Sequence, residues 1–390
     1  MYDISEPLFR QILSFSPRWK HIELSMSFSI YQKLESLISG DALPLLHSLQ
    51  GDIHWSEVLS EPPFSFPVRF LEAPNLQRLS LHSPQLSHKI TMVPPIWGRL
   101  TDLRIQSAVS DVDFFNIIKL CHNLITCQVD DMQGSQDDPA QQFRPQTEVI
   151  IPKLQMVKIH ELRGTSDVVQ AINAPSLKFL TYWRPPRDGY HNESYLTLMR
   201  ADGLLALVER GASTLRKLTL EPQSLLSEDI VMCLQLVNKV SHLVLKCYPY
   251  YSRYPENDTL RDDFFNLDLF IVHDSPCPSE SRDILLPKLE VLEMNDVYQF
   301  TDEDVLRLLT TRMDAARRGD VSPLRRLKLH FARHRQRDIR EEVSERAKSA
   351  GYELSLELDY PPDDLRYNER LSPYFLDPSI EEAWPPAIDS

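Results

Sequence analysis

The chain has no run approaching the roughly eighteen consecutive apolar residues that a membrane-crossing helix needs, so no span is expected. Its opening, MYDISEPLFRQILSF, lacks the basic start, apolar run and cleavage site of a secretory leader. Cysteine is scarce. Cys121, Cys127, Cys233, Cys247 and Cys277 are odd in number and unevenly spaced, which argues for reduced thiols in the cytoplasm or nucleus and against a disulfide framework. Positive charge is also short: 42 Lys and Arg stand against 56 Asp and Glu, a formal net charge of -14. Such a chain repels a bare nucleic-acid backbone or an anionic membrane on average, so neither is expected as a partner.

Chemistry-bearing motifs are missing as well. No G-x-x-x-x-G-K, G-x-G-x-x-G, G-x-S-x-G or H-E-x-x-H run occurs, so no catalytic residue or cofactor is implied. His330 and His334 straddle a predicted strand end with no Cys or carboxylate at metal-ligand spacing, so no metal site is expected. The adjacent pairs Asp262/Asp263 and Glu341/Glu342 read as solvated charge. The chain is read as no enzyme; an unrecognised site inside residues 248–283 is the one route to a different answer.

What is present is a recurring kernel, L-x-x-L-x-L. It is clearest in ASTLRKLTLEP (Ala212 to Pro222) and returns in APNLQRLSLHSP, WGRLTDLRIQS, IPKLQMVKIHEL, APSLKFLTYWR, VNKVSHLVLKC, LPKLEVLEMNDV and VSPLRRLKLHFA. Its first anchors are Trp19, Leu46, Leu76, Leu100, Leu124, Leu154, Leu177, Leu215, Val240, Leu289 and Leu324. Most intervals lie in or just beyond the range of about 20 to 29 residues typical of leucine-rich repeats. The longer intervals, such as Leu177 to Leu215 and Val240 to Leu289, must carry loops. A last strand is expected at Leu354, Leu356 and Leu358.

The predicted fold class is therefore α/β: an irregular leucine-rich-repeat solenoid, or horseshoe. Short parallel strands line its concave face, and helices and loops form its convex face. Each repeat packs only on its neighbours, so 390 residues need not divide into separate globular cores. Roughly twelve strands at about 4.8 Å would run some 55 Å along the inner edge.

Residues 1–18 are expected as an N-terminal helical cap, with a helix over Glu6 to Phe15 closed by Pro17. The solenoid is expected over 19–360, about twelve repeats, and 361–390 as an acidic, proline-rich tail or cap in which Tyr374, Phe375 and Trp384 supply apolar contacts. WKHIELSMSF alternates as a strand with Ile22 and Leu24 inward. Gly51 stands where a strand leucine belongs, which predicts a bulge or a poorly packed turn. Prolines 62, 63, 67 and 74 predict an extended connection. Ser110 with Asp113, and Thr301 with Asp304, read as N-caps; Gly211 and Gly319 read as helix stops; Ser227 to Val237 reads as a further helix. A polar loop is expected at 130–146 and an insertion at 248–283, which opens with a tyrosine cluster (Tyr248 to Tyr254) and holds the apolar DFFNLDLFIV.

One resemblance emerges from these motifs. The S-P-R-W-K-x-I-E-L-S opening at Ser16 to Ser25, the A-P-x-L-x-x-L-x-L and L-P-x-L-x-x-L-x-L strands and the late T-D-E-D-V-L-x-L-L helix look like the leucine-rich region of fungal F-box proteins, particularly the mushroom type. It covers Leu8 to about Tyr360. In that family an N-terminal F-box of three short helices, often starting near L-P-x-E, binds the adaptor of a cullin-RING ubiquitin ligase, and the repeats select the substrate. Here Pro7 and Leu8 stand almost directly before the repeats and no F-box precedes them. The resemblance thus implies a substrate-recognition module, with adaptor contact only if an upstream F-box exists. A structural or scaffolding repeat protein with no ligase role is the alternative.

Strand parity predicts the binding surface. With the kernel leucines inward, alternate residues face a partner: Arg78, Ser80 and His82; Asp102, Arg104 and Gln106; Met156, Lys158 and His160; Phe179, Thr181 and Trp183; Lys217, Thr219 and Glu221; His242, Val244 and Lys246; Arg326, Lys328 and His330. Of these, Arg104, Lys158, Phe179, Trp183, Lys217, Arg326, Lys328 and His330 are the candidate partner-binding residues for a protein substrate. Trp183 either forms an aromatic anchor with Phe179 or folds under the adjoining PPRDG loop. Arg326, Lys328 and His330 either meet an acidic or phosphorylated segment or pair with the chain's own acidic tail. Cys127, in a kernel leucine position, reads as a small buried hydrophobe.

Overall fold

The computed structural model describes residues 5–38, 42–54, 69–82, 94–133, 145, 147–163, 167–183, 201–222, 225–246, 267–271, 284–297 and 300–361. They fall into two compact units, Met1–Leu177 with Trp183–Asn192, and Lys178–Tyr182 with Glu193–Ser390.

The first unit begins with α1 (Ser5–Leu13), a 3-10 turn (Ser16–Arg18), β1 (His21–Ser27) and α2 (Phe28–Leu37). It continues through β2 (Ser48–His54), a 3-10 turn (Arg69–Glu72), β3 (Arg78–His82), α3 (Pro94–Trp97), β4 (Asp102–Ser110) and α4 (Asp111–Ile118). Then come β5 (Thr126–Gln133), β6 (Val149–Ile150), β7 (Met156–Arg163), α5 (Asp167–Ala171) and β8 (Ile172–Asn173). Strands β1, β2, β3, β4, β5 and β7 lie side by side in chain order, all parallel, and β6 pairs with β8.

The second unit takes β9 (Phe179–Trp183, its last residue grouped with the first unit), α6 (Asp202–Gly211), β10 (Lys217–Leu220), α7 (Ser227–Leu236) and β11 (His242–Lys246). A 3-10 turn (Leu267–Phe270) precedes β12 (Val291–Val297), α8 (Asp302–Arg318), β13 (Arg326–Phe331), α9 (Arg340–Ala350) and β14 (Ser355–Asp359). These six strands are again parallel and in chain order. The class is α/β with parallel strands, and neither run closes on itself.

The kernel explains this order. Before most strands a tight turn ends on the anchor residue: the N–H of Leu76 donates to the Ala73 carbonyl at 3.3 Å, Leu154 to Ile151 at 3.2 Å, Leu177 to Ala174 at 3.1 Å and Leu289 to Leu286 at 3.0 Å. Pro74, Pro152, Pro175 and Pro287 take the second turn position, where a fixed φ and a missing N–H cost nothing. Beyond the anchor, two successive N–H groups share one carbonyl of the previous repeat. Gln77 and Arg78 share His47, Ile125 and Thr126 share Thr101, and Glu290 and Val291 share Ser241.

That sharing sets the register and stacks like on like. Ile22, Leu49, Leu79, Leu103, Cys127 and Val157 form one row, and Leu180, Leu218, Leu243, Leu292, Leu327 and Leu356 another. Anchors from Leu46 to Leu324 are no more than 4% exposed, and each buried leucine contributes about 1.5–3 kcal/mol. Cys127 sits in its row as a buried apolar filler, and Cys121 behind it has its thiol pushed up to about 12 by burial, which leaves it inert.

Three buried carboxylates tie neighbouring connections together. Glu35 accepts from the Tyr31 hydroxyl at 2.5 Å and the Arg69 N–H at 3.0 Å. Asp229 of α7 accepts the Ala201 N–H at the start of α6 at 2.7 Å. Asp302 accepts from Arg333 and Tyr360 at 2.8 Å each, and from the N–H groups of Gln336 and Arg337 at 2.8 and 2.7 Å. Arg333 also lies over the stacked rings of Phe331 and Tyr360, whose centroids are 4.7 Å apart. Burial alone would raise the Asp302 pKa, but the Arg333, Arg337, Tyr360 and Gln336 bonds outweigh it and hold the carboxyl below the usual value.

Several expectations change. Gly51 carries no bulge: β2 keeps unbroken register on both sides, and Leu81 Cδ2 approaches to 3.7 Å of where a Cβ would stand. The irregularities fall instead between Ile105 and Ala108 of β4, between Val129 and Gln133 of β5 and between Met294 and Val297 of β12. Gly211 does not stop α6. It is the last helical residue and is buried, and Ala212 forms the cap with right-handed geometry. The loop expected at 130–146 loses residues 130–133 to β5. Of the 248–283 insertion, only 267–271 are described, with Leu267 and Phe270 buried in a 3-10 turn beside α8. The tail beyond residue 361 and the tyrosine cluster lie outside the described residues. Ser110 caps α4 through the Asp113 N–H, and Thr301 with Asp304 forms a capping box on α8, which ends at left-handed Gly319, φ 83°.

Two glycines should respond oppositely to alanine. Gly51→Ala should be neutral or stabilising by up to about 1 kcal/mol in urea unfolding, whereas Gly319→Ala should cost about 1 kcal/mol because alanine is strained at that φ. Asp302 has a depressed folded pKa, so its contribution is complete above the ordinary value of 3.8 and is lost as pH falls through the folded value. Asp302→Asn should cost about 1–3 kcal/mol at neutral pH and flatten the acid limb of the stability curve.

Candidate binding surface

Each unit carries one row of side chains between its two rows of core residues. In the first unit the row runs Glu23, Gln50, Ser80, Arg104, Gln128 and Lys158 across β1, β2, β3, β4, β5 and β7. In the second it runs Thr181, Thr219, Val244, Glu293, Lys328 and Glu357 across β9 to β14.

In the first unit, Asp130 is the hub. The Gln128 amide donates to both its oxygens, at 2.7 and 2.9 Å, and Lys158 Nζ stands 3.5 Å away. Arg104 lies beside the Gln106 side-chain amide, whose oxygen can accept from the guanidinium at 2.8 Å once the amide is turned toward it. His160 is half-buried, with its ring against Trp183. Burial lowers its pKa to about 4 despite the nearby Asp130 charge and a bond to the Asp130 backbone, so the imidazole is neutral near pH 7. Trp183 packs on the neighbouring strand; the PPRDG loop lies outside the described residues. Phe179 is half-buried at the other end of β9.

In the second unit the charges alternate across β12, β13 and β14. Arg326 lies 3.9 Å from Glu293 and 3.0 Å from Glu357, and Lys328 Nζ is 3.6 Å from Glu357. His242 Nε2 stands 3.4 Å from Glu293. Contact with His242, with help from Arg326 and Lys217, holds the Glu293 carboxyl below its usual pKa against the effect of burial. His330 Nδ1 is 3.0 Å from Asp359, while burial lowers the imidazole pKa against the pull of that carboxylate.

Arg326, Lys328 and His330 therefore already have carboxylate neighbours, and those come from β12 and β14; the tail lies outside the described residues. Asp102, Thr219, Glu221 and Val244, expected on the offered face, are 2–7% exposed. Asp102 is enclosed by Arg78 at 3.6 Å and the Thr101 hydroxyl at 2.7 Å. Thr219 and Val244 are short side chains in register beside the longer Lys217, His242 and Glu293. Gln128, Asp130, Glu293, Glu357 and Asp359 were missed by the sequence reading. Aligning LITCQVDD and LEVLEMND on the kernel would have put Gln128 and Glu293 in the same column as Arg104 and Lys328.

Among the described residues, no group of three His, Cys, Asp or Glu is placed to hold a metal ion, and no helix is long and apolar enough to cross a membrane. No protein-family model matches the chain, and no curated protein is significantly similar to it.

His160 gives a direct test of the first-unit patch. A base with a lowered folded pKa withdraws stability as pH falls from its ordinary 6.5 to about 4, because only the unfolded chain takes up the proton there. Its ring resonances should stay those of neutral imidazole until about pH 4, and His160→Gln should reduce the stability lost across that window. Titration of the ring at its ordinary value would contradict the enclosed site.

Proposed function

We propose that the chain is a protein-binding repeat module, a leucine-rich-repeat solenoid whose strand face receives a protein partner. The reading rests on one observation above others: between two rows of buried kernel residues, each unit carries a row of residues that changes from strand to strand. A row at about 4.8 Å spacing can match a partner side chain by side chain. Arg104, Lys158 and Trp183 in the first unit, and Phe179, Lys217, Arg326, Lys328 and His330 in the second, are the contacts assigned to it. The cellular role proposed is selection of substrates for a cullin-RING ubiquitin ligase, in the cytoplasm or nucleus. That step rests on the resemblance to fungal F-box repeat regions, and adaptor contact requires an upstream F-box.

A second reading, a scaffolding repeat protein with no ligase role, draws support from the second unit. Its basic side chains are flanked by Glu293, Glu357 and Asp359, as in a face stabilised for its own sake. The net charge of -14 makes a bare nucleic acid or an anionic membrane a poor partner for either role.

Affinity capture from the native host, with the chain alone and extended upstream, separates the two readings. Recovery of the cullin adaptor with the extended form supports the ligase role; its absence from both favours the scaffold. Phe179→Ala with Lys158→Glu should reduce partner capture about tenfold or more, while the melting temperature changes little. Unchanged capture with a large loss of stability would remove the strand face from the reading.

A further inference from the structure

Among the described residues, strand β1 ends the parallel run of the first unit, with β2 as its one strand neighbour. Its kernel residues show the consequence: Ile22, Leu24 and Met26 are half-buried, whereas Leu49, Leu81 and Ile53 in the same three rows are at most 6% exposed. On α1, Leu8, Ile12 and the following Phe15 are 53%, 41% and 53% exposed, a stripe at helical spacing.

Among the described residues, no strand pairs with the other edge of the β1 backbone. The Ser48 N–H donates to the Lys20 carbonyl, so Lys20 and the alternate residues after it turn toward β2. The N–H and C=O groups of His21, Glu23, Ser25 and Ser27 therefore point outward, over an edge roughly 23 Å long. Natural edge strands are blunted with lysine, proline or a bulge; HIELSMS has none of these, and its register with β2 is unbroken.

We infer that this edge is the contact between two copies of the chain, joined by antiparallel pairing of β1 with β1 about a twofold axis at Leu24. The segment complements itself in that register. Leu24 meets Leu24 as a non-hydrogen-bonded pair. Ile22 falls opposite Met26 on the apolar face. Glu23 falls opposite Ser25, and His21 opposite Ser27, on the polar face, so no two like charges are directly opposed. The pairs that face each other across hydrogen bonds, Glu23 with Ser25 and His21 with Ser27, are those whose backbone groups point outward. A head-to-tail contact is disfavoured: continuing the repeat from β14 into β1 of the next copy sets Glu357 beside Glu23. The twofold pairing closes at two.

Sedimentation equilibrium on the full chain should give twice the 45.3 kDa mass at micromolar concentration. Exchange of the Glu23 and Ser25 amides should slow as concentration rises. Ser25→Glu places two carboxylate pairs across the axis and should weaken the dimer about tenfold or more; adding Glu23→Lys converts both pairs to opposite charges and should restore it. Matched circular dichroism spectra control for folding. A monomer at every concentration tested, or a dimer indifferent to Ser25→Glu and with concentration-independent exchange at β1, would overturn the assignment. The exchange measurement uses the unaltered chain, so it decides the matter even if a variant fails to fold.

Discussion

Everything in this fold depends on where each strand starts. A single carbonyl from one repeat receives two successive N–H groups of the next, as His47 does from Gln77 and Arg78 and Ser241 from Glu290 and Val291. Because side chains alternate along a strand, a slip of one residue would move the whole leucine row to the opposite face. The turn that closes on each anchor prevents this. Prolines at the second turn position hold the chain in shape before the strand begins, so the anchor reaches the core and the next carbonyl is presented in place. A side ladder reinforces it: Asn75 donates to the Pro44 carbonyl at 2.6 Å, Asn123 to Gly98 at 2.8 Å and Ser176 to Pro152 at 2.6 Å.

Repetition leaves the connections as the difficult part, since each is different and each has backbone groups to satisfy. Buried carboxylates do this at three places. Glu35 serves the turn before β3, Asp229 the start of α6 and Asp302 the segment between β13 and α9. Burial pushes the Glu35 carboxyl up while Tyr31 and two N–H groups pull it back, whereas Asp302, with a guanidinium among its donors, stays below its usual value. Arg312 is the converse case. It is 2% exposed and donates to the carbonyl of Leu286, a residue with φ 49°, and burial lowers its pKa to about 10. A cation there costs desolvation energy and in return holds a strained turn in place.

The rows between the leucines show how one scaffold gives two kinds of face. In the first unit a single carboxylate, Asp130, gathers the Gln128 amide and the Lys158 ammonium. In the second, acids and bases alternate across β12, β13 and β14 and largely satisfy one another. Exposed pairs of this type contribute little to stability, so the alternation fixes the charge pattern of the face more than the strength of the fold.

The residue pattern was enough to read the α/β class, the order of the described elements and the caps of α4 and α8, though not the end of α6. The kernel spacing, the prolines before the anchors and the Thr301, Asp304 and Gly319 signals all act within a few residues of one another, so local chemistry is enough to read them. It also placed Cys127 in the core and Arg104, Lys158 and Lys328 on one strand face. Tertiary structure alone decided the rest, because it depends on what the neighbouring strand brings. Gly51 keeps its place because β1 and β3 pair in unbroken register on either side of it. Gly211 ends α6 as a buried helical residue, and the cap falls to Ala212. Arg326 and His330 meet Glu357 and Asp359 because register sets strands thirty residues apart in sequence side by side, about 4.8 Å apart.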